Sequence, residues 1–263
     1  MAIQPMKTRP LAPRSLEIVS VGLLIALLVG MGLAGPVLQP QEYHSFADSR
    51  GIGALPNAID VLSNLAFLIA GAFGLRLANR APFPQKASLN LFAMGLVLTA
   101  LGSAYYHWAP TDKTLLWDRL PMTLAFAGAI GAMAAQYLRE EAAFRWQNAW
   151  LYLGPVSVFL WDASGDLRLY LVTQVGGLLV GSVWLFVGQK PSTTASTAAP
   201  ALPWGFVWLG YALAKLAESG DVWRWNATSG LIAGHGLKHV LAAAGTIPLW
   251  IALAKIEGEP AKK

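Results

Sequence analysis

Val-Gly-Leu-Leu-Ile-Ala-Leu-Leu-Val-Gly-Met-Gly-Leu-Ala-Gly occupies residues 21–35, and this unbroken apolar run indicates the fold class. The strands of a membrane barrel alternate apolar and polar residues over about ten positions, and this run does not alternate. A helix that spans a bilayer needs about 20 mostly apolar residues, which the run and its apolar flanks provide. The stretch therefore predicts a transmembrane helix.

Seven further apolar stretches follow, so the sequence predicts an all-α integral membrane protein with eight spans. The fifth stretch is short and contains Pro155, and the seventh contains Lys215 and Glu218 near its end. The eight stretches run roughly over residues 15–37, 57–78, 88–107, 117–138, 147–163, 167–188, 202–219 and 231–254.

The composition of the whole chain agrees with this prediction. Of the 263 residues, 55% are apolar and 13% are charged, and the mean hydropathy is +0.48. Soluble domains carry about 25% charged residues, so this chain has too few to cover a water-soluble surface. A water-soluble enzyme and a disordered chain are both excluded. The basic residues behind the net charge of +5 are scattered between apolar runs, which argues against nucleic-acid binding.

The distribution of basic residues predicts the orientation in the membrane. With the N-terminus in the cytoplasm, 12 Lys and Arg residues lie inside and 7 lie outside, which favours cytoplasmic N- and C-termini. The inner set is Lys7, Arg9, Arg14, Arg76, Arg80, Lys86, Arg139, Arg145, Lys190, Lys255, Lys262 and Lys263. The outer set is Arg50, Lys113, Arg119, Arg168, Lys215, Arg224 and Lys238. The small-residue stretch Lys190 to Pro203 is then a flexible cytoplasmic linker.

Few residues in this chain can bind a transition metal. There is no cysteine and there are four histidines, so disulfides and thiolate metal sites are excluded. Any such site must use imidazoles and carboxylates. Ionisable groups inside a membrane are costly and usually mark function, so their positions are informative.

The third predicted span ends in Leu101-Gly-Ser-Ala-Tyr-Tyr-His-Trp108, which places Ser103 and His107 on one helix face. Asp118 follows eleven residues later, at the start of the fourth span and on the same outer side. Each residue also has a structural interpretation. His107 could be an interfacial residue in an aromatic belt, and Asp118 could interact with the helix dipole or pair with Arg119.

The eighth span begins Gly234-His-Gly-Leu-Lys-His239, so His235 and His239 share one helix face at a spacing that lets both bind one metal ion. The predicted topology brings this pair to the same membrane face as His107. Three imidazoles can hold a tetrahedral zinc with one position open for water. A nearby carboxylate such as Asp118 and a hydroxyl such as Ser103 then favour catalysis.

These residues resemble the alkaline ceramidase family, whose superfamily also includes adiponectin-type receptors and GPI-remodelling hydrolases. The resemblance rests on Ser-x-x-x-His, the later Asp, the His-x-x-x-His pair and Asp60-Val-Leu-Ser-Asn-Leu65, which is similar to a segment of the family's first core helix. It covers residues 57–254 and implies a seven-helix core domain. Residues 1–56 then contain a tail, one extra N-terminal transmembrane helix and an outer loop, and residues 255–263 form a cytoplasmic tail.

The resemblance implies zinc ligands at His107, His235 and His239. It also implies that Ser103 and Asp118 contact the zinc-activated water, with Asp118 as the proton shuttle. The implied reaction is hydrolysis of the amide bond of a ceramide to a sphingoid base and a fatty acid. The residues alone do not separate this reaction from ester cleavage of the GPI-remodelling type. A third hypothesis is a lipid-sensing, receptor-like protein with a structural zinc.

One part of the sequence departs from the family. Its animal members have an acidic calcium-binding stretch before the first core helix, where this chain has only Glu42 and Asp48 as acids and Asn57 in place of a further acid. The sequence therefore does not support calcium dependence. We interpret His44, in the same loop, as a solvated residue and not as a second metal ligand. We likewise interpret Glu218, Asp221 and Arg224 as a solvated loop, with the cavity mouth as the alternative.

Overall fold

The structure is a computed structural model that describes residues 10–82, 84–189 and 201–256. Its described part is built of α-helices and two short 3-10 turns, Gln41–His44 and Ala78–Arg80, and the longest described connection between helices is residues 34–57. The α-helices are α1 (Pro13–Leu33), α2 (Ala58–Ser63), α3 (Leu65–Leu77), α4 (Gln85–Trp108), α5 (Asp112–Tyr137), α6 (Glu140–Ser164), α7 (Arg168–Val187), α8 (Trp204–Ser219), α9 (Asp221–Ala227) and α10 (Gly234–Ala254).

Six helical segments of the described chain are long and apolar enough to cross a membrane. The predicted all-α membrane-protein class is therefore confirmed, whereas the number of spans stays a prediction. The two predicted spans outside this set correspond to α6, which begins with Glu140 and Glu141, and α8, which has 16 residues. The six are Pro13–Leu33, Ala58–Arg80, Gln85–Trp108, Asp112–Tyr137, Arg168–Val187 and Gly234–Ala254.

Some sequence predictions fall outside the described residues. Residues 190–200 of the predicted linker and residues 257–263 of the predicted C-terminal tail are not described. Five basic residues of the inner set are also outside: Lys7, Arg9, Lys190, Lys262 and Lys263.

Helices α4 and α5 pack unusually closely, because glycines line the contact between them. A Cβ atom on Gly102 would lie 1.9 Å from the carbonyl oxygen of Trp117, and one on Gly95 would lie 2.3 Å from the backbone nitrogen of Ala125. No side chain larger than hydrogen fits at these points without separating the helices. The close packing brings the end of α4 next to the start of α5.

Helix α1 packs mainly against α7. Leu16 and Ser20 in its first half are fully buried, and the Trp184 indole nitrogen donates a 2.9 Å hydrogen bond to Ser20 Oγ. Ser20 Oγ in turn donates to the carbonyl of Leu16. In the second half, large apolar side chains such as Ile25 and Leu33 are exposed, as expected for a surface that faces lipid.

Residues 34–57, which we call the cover loop, connect α1 to α2 across one end of the bundle. Asp166 fixes the beginning of the loop, because its Oδ1 accepts hydrogen bonds from the backbone nitrogens of Val37 and Arg168. The Arg168 guanidinium and these bonds lower the pKa of Asp166 to about 2. The ends of α4 and α8 and the starts of α2, α5 and α10 meet below this loop, and we call this the site end of the bundle.

Candidate metal centre

Three of the four histidines converge at the site end. His107 lies in the last turn of α4, and His235 and His239 lie in the first two turns of α10. One candidate ligand atom from each imidazole lies within 4.8 Å of the other two, and all three side chains are buried. The spacing of His235 and His239 places both rings on the same side of α10, with their centroids 4.8 and 4.9 Å from that of His107. The predicted grouping of these residues is thus present.

Three ring nitrogens of the cluster have no hydrogen-bond partner in the described part of the chain. His107 Nδ1 and Nε2 and His235 Nε2 are buried and have no hydrogen-bond partner within the described structure. Buried polar atoms are normally satisfied, so several unpaired nitrogens in one place require an explanation. A metal ion bound by these nitrogens would satisfy them, and the donor set therefore fits a metal site.

His239 is oriented by Ser63 at the end of α2. Ser63 Oγ donates its hydrogen to the carbonyl of Asp60, at 2.9 Å, and lies 2.8 Å from His239 Nδ1. Because this hydroxyl has only one hydrogen, it accepts from Nδ1–H. The lone pair of His239 is then on Nε2, where it can bind a metal ion.

The backbone around the other two histidines is also held by side chains. Asn57 donates from Nδ2 to the carbonyl of His107, at 2.8 Å. Asp221, in α9, accepts a 2.8 Å hydrogen bond from the backbone nitrogen of His235 at Oδ1 and a 2.9 Å bond from that of Ala47 at Oδ2. One carboxylate therefore connects the cover loop to the start of α10.

Phe46 of the cover loop closes the centre from outside. Its ring centroid lies 4.8 Å from that of His107 and 4.5 Å from that of His235. Phe46 keeps the two imidazoles away from bulk water, which strengthens electrostatic interactions inside.

Two buried carboxylates flank the histidines. Asp118 is buried in the second turn of α5 and not in the first turn as the sequence predicted, and Ser103 lies close enough for its hydroxyl to interact with the Asp118 carboxylate. Asp60 is fully buried with both carboxylate oxygens unpaired, and a Cβ atom on Gly236 would lie 3.1 Å from its Oδ1. Neutral imidazoles carry no charge to balance a buried cation, and these two acids, when ionised, would supply negative charge next to a metal ion bound by the histidines.

Asp118 forms no ion pair with Arg119 in the described structure, so that alternative from the sequence is wrong. Asp118 also lies in the second turn of α5, beyond the first turn where a helix dipole acts most strongly. Ser103, Asp118 and His239 instead face a common cavity. All five residues predicted for the site thus lie together, three in the histidine cluster and two beside it.

The cavity beside the histidines has a volume of about 330 Å³. Its inner walls are mainly apolar and aromatic, with Phe92, Leu96, Phe126 and Ala129 among them. At 1.5 Å per residue, Ala129 is about 16 Å along α5 from Asp118. The cavity therefore extends from the carboxylate deep into the bundle, a shape that suits an acyl chain.

Charged residues form the mouth of the cavity. Glu218 accepts from Lys238 at 2.7 Å and also pairs with Lys215, while the Tyr43 hydroxyl donates to Glu218 at 3.1 Å. Burial raises the pKa of the Tyr43 hydroxyl, which keeps it protonated as a donor. The sequence interpretation of Glu218 as solvated is wrong, because its side chain is 14% exposed and lines the cavity. Lys215 precedes Glu218 by three residues in α8, but Lys238 and Tyr43 come from other elements, and no local pattern indicates those two partners.

Two further residues considered from the sequence, His44 and Asp48, lie in the cover loop and outside the histidine cluster. His44 lies 3.0 Å from both the Tyr106 hydroxyl and Asp112 Oδ1, with a side-chain exposure of 12%. It is paired and largely buried, and not solvated as the sequence suggested. Asp48 is bound at both oxygens by Arg50, and these hydrogen bonds lower the pKa of Asp48.

Comparisons of the chain with protein-family models, with curated proteins and with solved structures find no significant match. The functional interpretation therefore depends on the residues and geometry of the site.

Proposed function

We propose that the protein is a zinc-dependent intramembrane lipid amide hydrolase of the ceramidase type, which cleaves ceramide-like lipids to a sphingoid base and a fatty acid. The observation that carries the proposal is the cluster of three buried imidazoles, with three ring nitrogens unpaired within the described structure, beside Ser103 and Asp118 at the polar end of an apolar cavity. The motifs that resemble the alkaline ceramidase family support the amide substrate.

Zinc is the metal that suits this donor set best. His107, His235 and His239 would hold it, and three imidazoles with no thiolate are a common catalytic zinc set. A zinc ion bound there supplies Lewis acidity, which polarises the substrate carbonyl and lowers the pKa of water.

The side chains around the histidines carry the other parts of the reaction. The Asp118 carboxylate accepts a proton from the attacking water and returns it to the leaving nitrogen, so that an amine and a carboxylic acid are produced. The Ser103 hydroxyl orients the water and donates to the developing oxyanion. Phe46 limits access of bulk water, and the cavity holds the acyl chain in position.

The proposal includes an arrangement in the membrane. Helices α2 to α10 form a seven-span core, in which α2 and α3 make one span and α6 and α8 complete the set, and α1 is an extra N-terminal helix. The N- and C-termini are cytoplasmic, and the site end faces the periplasm or an organelle lumen. The distribution of Lys and Arg supports this orientation.

The test uses the full-length protein in detergent, with zinc content measured by mass spectrometry and fatty-acid release measured from ceramides. We expect about one zinc per chain and measurable hydrolysis. Asp118→Asn should retain zinc and lose about 10²- to 10⁴-fold in turnover, because it removes the proton acceptor.

The control is His44→Ala, which removes a paired histidine outside the cluster and should retain zinc, whereas His235→Ala should lose it. Equal zinc in wild type and His235→Ala would refute the metal centre. A zinc-loaded wild type that releases no fatty acid from any amide lipid would refute the activity.

A further inference from the structure

Arg119 is a buried cation for which the proposed reaction has no role. It follows Asp118 in α5, is 7% exposed and lines the cavity together with Asp118 and Ser103. Buried guanidinium groups are rare unless every donor has a partner.

Most of the Arg119 guanidinium is held in place. Its Nη2 donates a 2.6 Å hydrogen bond to Gln39 Oε1 of the cover loop. Its guanidinium carbon lies 4.2 Å from the ring centroid of Trp161 and 4.8 Å from that of Tyr170. The group is thus oriented before any ligand binds, and little conformational entropy remains to be lost.

The Nη1 nitrogen of this oriented group has no partner in the described structure. Arg119 Nη1 is buried and has no hydrogen-bond partner in the described structure. The other cations of the cavity wall, Lys215 and Lys238, share Glu218. The wall therefore carries three cationic side chains and two acidic ones, Asp118 and Glu218, and Arg119 forms no ion pair within the described structure.

We propose that Arg119 Nη1 binds a carboxylate in the headgroup of a second class of N-acyl lipid. Besides neutral ceramide-like lipids, the site then takes acidic N-acyl lipids and binds them more tightly than neutral lipids with a headgroup of similar size. One free guanidinium nitrogen suits a singly charged carboxylate better than a phosphate, which takes more donors. The adjacent Asp118 places this contact next to the reacting bond, and the acyl chain extends into the apolar part of the cavity. The inference rests on the proposed function for the position of the amide and the acyl chain, and it adds a second class of lipid to the same site.

The experiment compares binding of N-palmitoylglycine and N-palmitoylethanolamine, which share an acyl chain and amide and differ in the carboxylate. Titration calorimetry is done with the full-length Asp118→Asn protein in non-ionic detergent, so that no turnover is required and failure of the proposed hydrolysis does not affect the result. We expect the glycine conjugate to bind about tenfold more tightly, as for a charge-assisted hydrogen bond.

Adding Arg119→Gln should abolish this preference and leave the affinity for N-palmitoylethanolamine unchanged, which also shows that the cavity is intact. Arg119→Lys keeps the positive charge but loses the planar guanidinium, so it should retain part of the preference. This variant replaces Arg119→Gln in the test if the Gln variant does not fold. The control is Lys113→Gln, on the same helix but outside the cavity wall, which should retain all of it.

Equal affinities of the Asp118→Asn protein for the two lipids would overturn the proposal, and so would a preference that survives Arg119→Gln. Free palmitate is the third ligand. If palmitate depends on Arg119 more strongly than N-palmitoylglycine does, Arg119 binds the fatty-acid carboxylate, and the headgroup assignment is wrong.

Discussion

Ser63 orients His239 through a single hydroxyl and gives the most direct residue-scale test of the metal centre. Ser63→Ala removes the acceptor of His239 Nδ1–H. The imidazole can then rotate or change tautomer. We expect zinc affinity to fall about 10- to 100-fold, as for other partners that orient metal-bound histidines. Competition with a fluorescent chelator measures this change.

Ser219→Ala is the matched control, because Ser219 Oγ donates only to the carbonyl of Leu216 in its own helix and is exposed. Its zinc affinity should equal that of the wild type. If Ser63→Ala also retains wild-type affinity, the orientation of His239 does not depend on this hydrogen bond.

The sequence predicted those site residues that lie one helix turn apart in the chain. His235 and His239 share a helix face by sequence spacing alone, and Ser103 and His107 do so as well. Asp221 and Arg119 were not predicted as site residues. Asp221 meets the backbone of Ala47, which lies 174 positions away, and no local pattern encodes such a contact.

At the element scale, the α4–α5 contact holds Ser103 beside Asp118. Gly102→Ala would place a methyl group 1.9 Å from the Trp117 carbonyl oxygen and push the helices apart. We expect a loss of about 1–3 kcal/mol in unfolding free energy and a weaker zinc site. Thermal unfolding and zinc content measure both effects.

Gly22→Ala provides the comparison, because nothing lies within 4 Å of a Cβ at Gly22 in α1. Alanine favours a helix over glycine, so stability should stay the same or rise slightly. A loss of stability as large as that of Gly102→Ala would mean that the cost comes from the membrane environment and not from helix contact.

Whole helices were easier to predict than their connections. Each of the eight apolar stretches contains a helix, because continuous apolar sequence leaves few other choices in a bilayer. The break between α2 and α3 at Asn64 lies inside one predicted span. The fold of the cover loop was not predictable, since it depends on partners such as Asp166 and Asp221 in distant parts of the chain.

At the scale of the whole molecule, the length of the cavity should determine which acyl chains are cleaved. Ala129 is 5% exposed and lines the apolar part of the cavity, far from Asp118. Ala129→Leu shortens this space, so we expect kcat/KM for a palmitoyl amide to fall about tenfold, equal to the burial of about two methylene groups. Hydrolysis of an octanoyl amide should not change.

The corresponding control is Ala244→Leu, which adds the same side chain at an exposed position on α10 and should leave both substrates unaffected. If Ala129→Leu lowers kcat/KM equally for the palmitoyl and octanoyl amides, the length of the cavity does not determine acyl-chain preference.

The double attachment of Asp221 also has a consequence for motion. Its carboxylate holds the amides of Ala47 and His235, so the loop above the imidazoles and the start of α10 are released by one event. The two amides should therefore exchange with deuterium at a common rate, and Asp221→Ala should accelerate both together. The rate of that opening then limits how often bulk solvent reaches the histidines.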